Sequence, residues 1–352
     1  MTMAGERRLV CVTGASGFVG SHVTRELLQR GYHVRATVRD PNDDSRTAHL
    51  LRLAEEAGGN LEIRQADLFD PGSFDDVVSG CQGVFHVATA TVLTAKNPQR
   101  EIVDPAIVGT KNVLAAAARS GSVTRVVLTS SVAAVAGNKG GEGETYTEAD
   151  WNDDATLSSD PYALAKTRAE RLAWELVEQQ SGDQRYDLVV LNPCYVLGPV
   201  YARIHTRSSP ALIKDFLRGK LPACPAFNLN VVDARDVARA HVAAFEKADA
   251  SGRYIVAAST MWVQELASAL KRHFPERRIA TRRAPNFLVY LTALIDKRLS
   301  IASVRNNLGR QRIFDGSRAG RELGIEYTPI DQTLLDCGQS MIDLGLLQRR
   351  AA

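Results

Sequence analysis

The chain has 352 residues, 45% hydrophobic and 24% charged, a balance that excludes disordered and fibrous folds and is ample for a large core. A formal net charge of +3 is too small to imply attraction to nucleic acid or membrane, and the basic stretch RHFPERRIATRR (272–283) interleaves only Phe274 among its charges. Five scattered cysteines, with no CxxC pair and no zinc-type Cys/His spacing, point to a reducing compartment and to no metal site.

The N-terminal residues pass from charge directly into a strand-like run without an apolar signal region. The longest apolar runs, such as FLVYLTALI (287–295), fall far short of the ~20 residues that span a bilayer. A cytoplasmic protein with a small-molecule partner is expected, with no nucleic-acid or membrane partner, as a monomer or homodimer.

In chain order, RLVCVTG reads as a strand and FVGSHVTRELLQRG as a helix, with Val19, Val23, Leu27 and Leu28 at helical spacing. HVRATVRD is a second strand, AHLLRLAEEAG a helix closed by Gly58, and LEIRQADL a third strand. SFDDVVSGC gives a short helix, GVFHVAT a fourth strand, DPAIVGTKNVLAAAARSG a long helix and RVVLTSS a fifth strand. LVVLNPCYVLGP is a further strand; then come Pro- and Gly-rich loops, helices around 210–219 and 263–274, and a mixed C-terminal region.

Strands apolar on both faces, alternating with helices, predict an α/β doubly wound parallel sheet of Rossmann type with right-handed crossovers. A smaller mixed C-terminal lobe would lie over the strand ends. The expected division is residues 1–194 plus 231–250 for the dinucleotide-binding domain, and 195–230 plus 251–352 for the substrate-binding lobe. In that division VVDARDVARAHVAAFEKA (231–248) returns a strand and a helix to the main body.

The first strand runs into TGASGFVG, where Gly14, Gly17 and Gly20 form GxxGxxG exactly where a nucleotide-binding turn opens a helix. Gly14 permits the turn, Gly17 lets backbone approach a pyrophosphate, and Gly20 lets helix and strand sit close. Ser16, Phe18 and Val19 complete the cradle, with the helix N-terminus offering N–H groups to phosphate. Arg39, nineteen residues after Gly20, ends the second strand where it can fork onto a ribose 2′-phosphate; Asp40 beside it keeps an NAD reading open. Asp67 and Leu68 stand at the adenine edge. Val87, Ala88 and Thr89, at the end of HVAT, line the nicotinamide ribose.

Reduction of a carbonyl needs a proton donor close to its oxygen. Tyr162 and Lys166, four residues apart in YALAK, share a helix face, and the lysine charge would lower the tyrosine pKa. Ser131 in TSS, with Ser130 in reserve, can hold the oxygen. Each also has an ordinary explanation, an amphipathic helix and a hydrogen-bonded strand end. The glycine turn, Arg39, TSS and YxxxK in this order favour chemistry.

VTGASGFVGSHV, TVRDP, VFHVAT, GTKNVL, VVLTSS, YALAK, NPCYVLGP and VDARDVARAHV together resemble the extended short-chain dehydrogenases/reductases. The branch they are most similar to holds dihydroflavonol 4-reductase, cinnamoyl-CoA reductase and the yeast-type methylglyoxal and aldehyde reductases. The resemblance is strong over roughly residues 8–250 and only in outline beyond. It implies NADPH-dependent reduction of an aldehyde or ketone, with Ser131, Tyr162 and Lys166 as the triad, Tyr162 as proton donor and Lys166 also touching cofactor. It further implies that Pro193 and the following backbone, including Val196, pack on the nicotinamide amide.

Ala90, Val132, Ala136 and Tyr201 are the candidate substrate contacts. Ala136 stands where the flavonoid reductases have an asparagine, which suggests a smaller or more apolar carbonyl compound. Tyr201 reads as a pocket wall or as an exposed loop aromatic. Asn112 in GTKNVL matches an asparagine that holds the lysine and a water chain in many members, or else is a helix-interior polar residue. Two rivals remain: an NAD-dependent nucleotide-sugar epimerase or dehydratase of the same superfamily, which Arg39 opposes, and a non-catalytic cofactor-binding relative, which the retained Tyr162 and Lys166 oppose.

Overall fold

The computed structural model describes residues 8–89, 95–137, 143–181, 185–295 and 301–348. The chain begins with β1 (Leu9–Thr13), α1 (Phe18–Gln29), β2 (His33–Val38), α2 (Asp44–Ala57), β3 (Asn60–Gln65), α3 (Asp75–Val78) and β4 (Gly83–His86). It continues through α4 (Asp104–Ser120), β5 (Arg125–Thr129), β6 (Thr145–Tyr146), α5 (Pro161–Glu178), β7 (Asp187–Pro193) and β8 (Tyr195–Leu197). α6 (Ala211–Leu217), β9 (Asn228–Asp233), α7 (Ala234–Glu246), β10 (Gly252–Val256), β11 (Ser259–Trp262) and α8 (Val263–His273) follow. The last elements are α9 (Asn286–Ile295), α10 (Ile301–Asn307), β12 (Ile313–Phe314), α11 (Ser317–Leu323) and α12 (Ile330–Asp343).

Seven strands form a sheet in the order β10-β7-β5-β4-β1-β2-β3, with every pair parallel. The strand order reverses between β1 and β4, which opens a crevice at their C-terminal ends. Alternation explains why the central strands are largely apolar on both faces. Val10, Val12, Val34 and Phe85 enter the core with α1 and α7, while Cys11, Val84 and Val126 face Val113 and Leu114 of α4 on the other side. Two buried layers therefore flank one sheet.

A second sheet has the order β11-β9-β8, and a short β12–β6 pair ties the C-terminal region to the segment before α5. The strand expected to return at 231 differs from the sequence reading: β9 pairs with β8 and β11, while the edge slot beside β7 is taken by β10. Only helix α7 goes back to the body there, packing on α1. Asp233 at the junction explains the turn, since its buried carboxylate caps α7 at Arg235 N–H and accepts from Thr333 Oγ1 of α12. β4 also stops at His86 instead of running to Thr89, because Val87 N–H folds back to the Phe85 carbonyl and Ala88 N–H donates to Thr13 Oγ1. Among the described residues, no helix is long and apolar enough to cross a membrane.

Candidate active site

The turn after β1 brings the three glycines into a cradle that side chains would fill. Gly14 has φ +66°, and a Cβ there would lie 2.7 Å from Ala88 Cα at the end of β4. A Cβ on Gly20 would lie 2.2 Å from the Gly14 carbonyl oxygen. α1 starts at Gly17 without a side-chain cap or an acidic residue in its first turn, so its N-terminus is suited to an anion. Phe18 is buried, Val19 half-buried, and the Ser16 carbonyl accepts from His205 Nε2 at 3.3 Å. This cradle fits a dinucleotide pyrophosphate.

Arg39 is exposed at the end of β2, and its carbonyl accepts from Gln65 Nε2 at 3.0 Å. The neighbouring Asp40 is turned to a local task, accepting the Asn42 N–H at 2.9 Å. Asp67 and Leu68 follow β3, where Asp67 Oδ1 accepts from Phe69 N–H. Asn112 donates to the Leu68 carbonyl at 2.8 Å. The asparagine of GTKNVL thus braces the loop after β3, in place of the lysine-holding role its motif suggests, because α4 lies against that loop.

Ser131, Tyr162 and Lys166 come together on the next elements. Asp160 caps α5 by accepting the Ala163 N–H at 2.9 Å, and Pro161 occupies the first turn, so Tyr162 leaves the helix at its start. The half-buried Tyr162 side chain sits beside Ser131, which follows β5 and accepts the Ala133 N–H at 3.2 Å. One turn on, the buried Lys166 Nζ donates to the Thr129 carbonyl at 3.4 Å. Burial draws the Lys166 ammonium down to about 8, against the pull of Glu170.

The phenol departs from expectation. Burial lifts the Tyr162 pKa above its ordinary value, Asp160 adds to the rise and Ser131 opposes it. Desolvation of the phenolate thus dominates over the lowering expected of the lysine, and the phenol is held in its protonated form.

Around this centre, Val87, Ala88 and Thr89 lie half-buried at the end of β4, beside the turn at Gly14. Pro193 ends β7 and Val196 lies buried in β8, its carbonyl accepting from Ser209 Oγ. Val132 and Ala136 are half-buried on the loop beyond Ser131, where Asn152 Nδ2 donates to the Ala136 carbonyl at 3.0 Å. Tyr201 packs elsewhere. Its ring lies 4.5 Å from that of His22, its hydroxyl donates to His22 Nδ1 at 3.2 Å, and its contacts do not include Ser131 or Tyr162. Ala90 lies outside the described residues.

Sequence reasoning missed the polar residues beneath the centre. His86 Nδ1 bonds Thr13 Oγ1 at 2.8 Å, and burial with the nearby Lys166 charge holds its pKa to about 3. Glu170, Asn192 and Arg253 form a buried network against Ser130. One signal was available: Glu170 continues the four-residue spacing of Tyr162 and Lys166 along the same face.

The model of the NAD dependent epimerase/dehydratase family matches residues 10–257. A cinnamoyl-CoA reductase of Medicago truncatula is 34% identical over 348 residues, 97% of this chain and 98% of the relative. An anthocyanidin reductase of Vitis vinifera is 37% identical over 288 residues, covering 78% and 83%. Among solved structures, Gre2 of Candida albicans in complex with NADPH superposes with TM-score 0.79 at 27% identity, over 96% of this chain and 99% of that one. By family match, relatives and fold together, the chain belongs to the NAD dependent epimerase/dehydratase family, among the extended short-chain dehydrogenases/reductases.

Proposed function

We propose that this oxidoreductase uses NADPH to reduce an aldehyde or ketone to the alcohol, with Tyr162 as proton donor, Ser131 holding the carbonyl oxygen and Lys166 as the cation behind them. The observation that carries this reading is that Tyr162 sits beside Ser131 one helical turn from the buried Lys166 ammonium, with the glycine cradle also at strand ends. The reductase names of the relatives and the NADPH bound to the Candida albicans Gre2 support NADP(H) as cofactor.

Gly14, Ser16, Gly17, Phe18, Val19 and Gly20 would hold the pyrophosphate, and Arg39 the 2′-phosphate. With Asp40 engaged by Asn42, the guanidinium is the better placed of the two for that position. Asp67 and Leu68 would meet adenine, while Val87, Ala88, Thr89, Lys166, Pro193 and Val196 would line the nicotinamide half. When bound, NADPH supplies the hydride.

Ser131 Oγ donates to the carbonyl oxygen, and Tyr162 gives that oxygen its proton as the alcohol forms. A raised phenol pKa keeps Tyr162 protonated through neutral pH, as the reduction direction requires. The Lys166 ammonium then faces the phenolate left behind, so reduction should weaken as pH rises past about 8 and that charge is lost. Val132 and Ala136 are the proposed pocket wall, suited to a small or apolar substrate. We further place the protein in the cytoplasm, as a monomer or homodimer, and divide it into a dinucleotide-binding body and a substrate lobe. On strand pairing, β10 goes with the body and β9 with the lobe.

The test is NADPH oxidation at 340 nm against aldehydes, 1,2-dicarbonyls and aryl ketones, beside NADH. Turnover that prefers NADPH supports the reading. Silence across the panel, with NAD retained by the purified protein, would move the assignment to the sugar-nucleotide enzymes.

A further inference from the structure

Helix α5 carries a third charged side chain on the face of Tyr162 and Lys166. Glu170 is buried four residues beyond the lysine, and a buried carboxylate is costly unless its oxygens are partnered. Oε1 accepts from Arg253 Nε at 2.6 Å; Oε2 accepts from Ser130 Oγ at 2.5 Å and from Asn192 Nδ2 at 2.9 Å. The same Asn192 amide donates to the Ser131 carbonyl at 3.2 Å. Arg253 is fixed in turn, with its guanidinium 3.8 Å from the Trp151 ring centre and Nη1 donating to the Glu148 and Asp150 carbonyls.

For stability alone this arrangement is a poor choice, since packed apolar residues often do as well as a buried ion pair. Its contacts lead instead to the reaction centre. The carboxylate holds the Ser130 hydroxyl directly and the Ser131 carbonyl through Asn192, and Glu170 and Lys166 line one small cavity with His86, Thr110, Thr129 and Ser130.

We propose that Glu170 is a positioning residue for the reduction, fixing the Ser131 backbone through Ser130 and Asn192 and setting its negative charge against Lys166. This rests on the reductase reading above. The groups facing Lys166 are few: His86 from β4, neutral at working pH; uncharged Thr110 from α4; the Thr129 carbonyl and Ser130 at the end of β5; and, on its own helix, Glu170 and the phenol of Tyr162, which its raised pKa keeps protonated. Arg253 of β10 and Asn192 of β7 bond the carboxylate itself. Glu170 is thus the negative charge in this set, opposing the burial that lowers the lysine pKa. Removing it makes the ammonium lose its proton at lower pH.

The experiment is the pH profile of kcat for NADPH-dependent reduction in the wild type, E170Q, E170D and the double variant E170Q/R253M. The double variant leaves no unpaired arginine buried, so the test does not hang on the folding of E170Q alone. The expected result is a high-pH limb displaced by about one unit toward lower pH in both charge-less enzymes. Their kcat at pH 8 falls about fivefold with KM for NADPH within about twofold, while E170D keeps the wild-type limb. An unshifted limb in E170Q and the double variant, with Tyr162→Phe inactive, would overturn the role of Glu170 alone. Turnover surviving in Tyr162→Phe would overturn the reductase reading itself.

Discussion

On the cofactor side of the cleft, Gly14 and Gly20 act by what they lack, each leaving space that a Cβ would take from backbone. On the proton side, Ser131, Tyr162 and Lys166 depend on what other elements supply: β7 gives Asn192, β10 gives Arg253 and β4 gives His86. The first half is a local property of one strand, turn and helix. The second is assembled from positions far apart in the chain, and its parts are polar and buried. One side should therefore fail sterically and the other electrostatically.

The largest expected effect sharpens that contrast through pH. Five of the seven histidines are held neutral by burial: His22, His49 and His205 under the glycine turn, with pKa values lowered to about 4, 4 and 3, and His86 and His241, at about 3 and 4, near the proton side. Unfolded histidines take up protons near pH 6.5, whereas these resist until well below it. Their contribution is whole above pH 6.5 and is lost as pH falls toward 4, several kcal/mol in all on an order-of-magnitude basis. Thermal melting across pH 7 to 4 should show unfolding before pH 4 is reached, and a flat melting temperature over that window would refute it.

Next comes the steric side. Gly20→Ala forces a methyl group to within 2.2 Å of the Gly14 carbonyl oxygen, which cannot yield without moving the turn. A loss of about 3 kcal/mol is expected in denaturant unfolding, with NADPH affinity lost alongside it in a fluorescence titration. Arg39→Ala should weaken NADPH by about 10- to 100-fold, the value of a charge-assisted contact, while leaving NADH binding within twofold. Equal losses for both cofactors would deny Arg39 its role at the 2′-phosphate. The smallest effect belongs to Gly58→Ala, where φ is +59° and nothing lies within 4 Å, so only about 1 kcal/mol of backbone cost should appear and NADPH binding should stay intact.

The same contrast governs how much was legible in the sequence. The glycine turn, the strands around it, and Tyr162 with Lys166 are written in short-range spacing, because local sterics and a 3.6-residue period decide them. Glu170 was not. A glutamate at i+4 on a helix ordinarily reads as a solvated face, and what buries this one is Arg253, 83 residues later. Asn112 shows the limit of a motif, since it occupies the expected helix yet turns to the Leu68 carbonyl. FLVYLTALI shows the limit of hydropathy: its composition suggests burial, but α9 leaves Leu294 and Ile295 67% and 85% exposed. Strand β9 follows the same lesson, because an apolar run cannot say which of two sheets it will join.

The central claim is that Tyr162 delivers the proton in an NADPH-dependent reduction. The most direct measurement loads wild type and Tyr162→Phe with NADPH, confirms equal binding by cofactor fluorescence, and follows a single turnover of an accepted carbonyl at 340 nm. The account predicts unchanged affinity and a turnover rate reduced by about 10² to 10⁴ in the variant, the usual worth of a general acid. A variant that binds NADPH equally and turns over at the wild-type rate would contradict it.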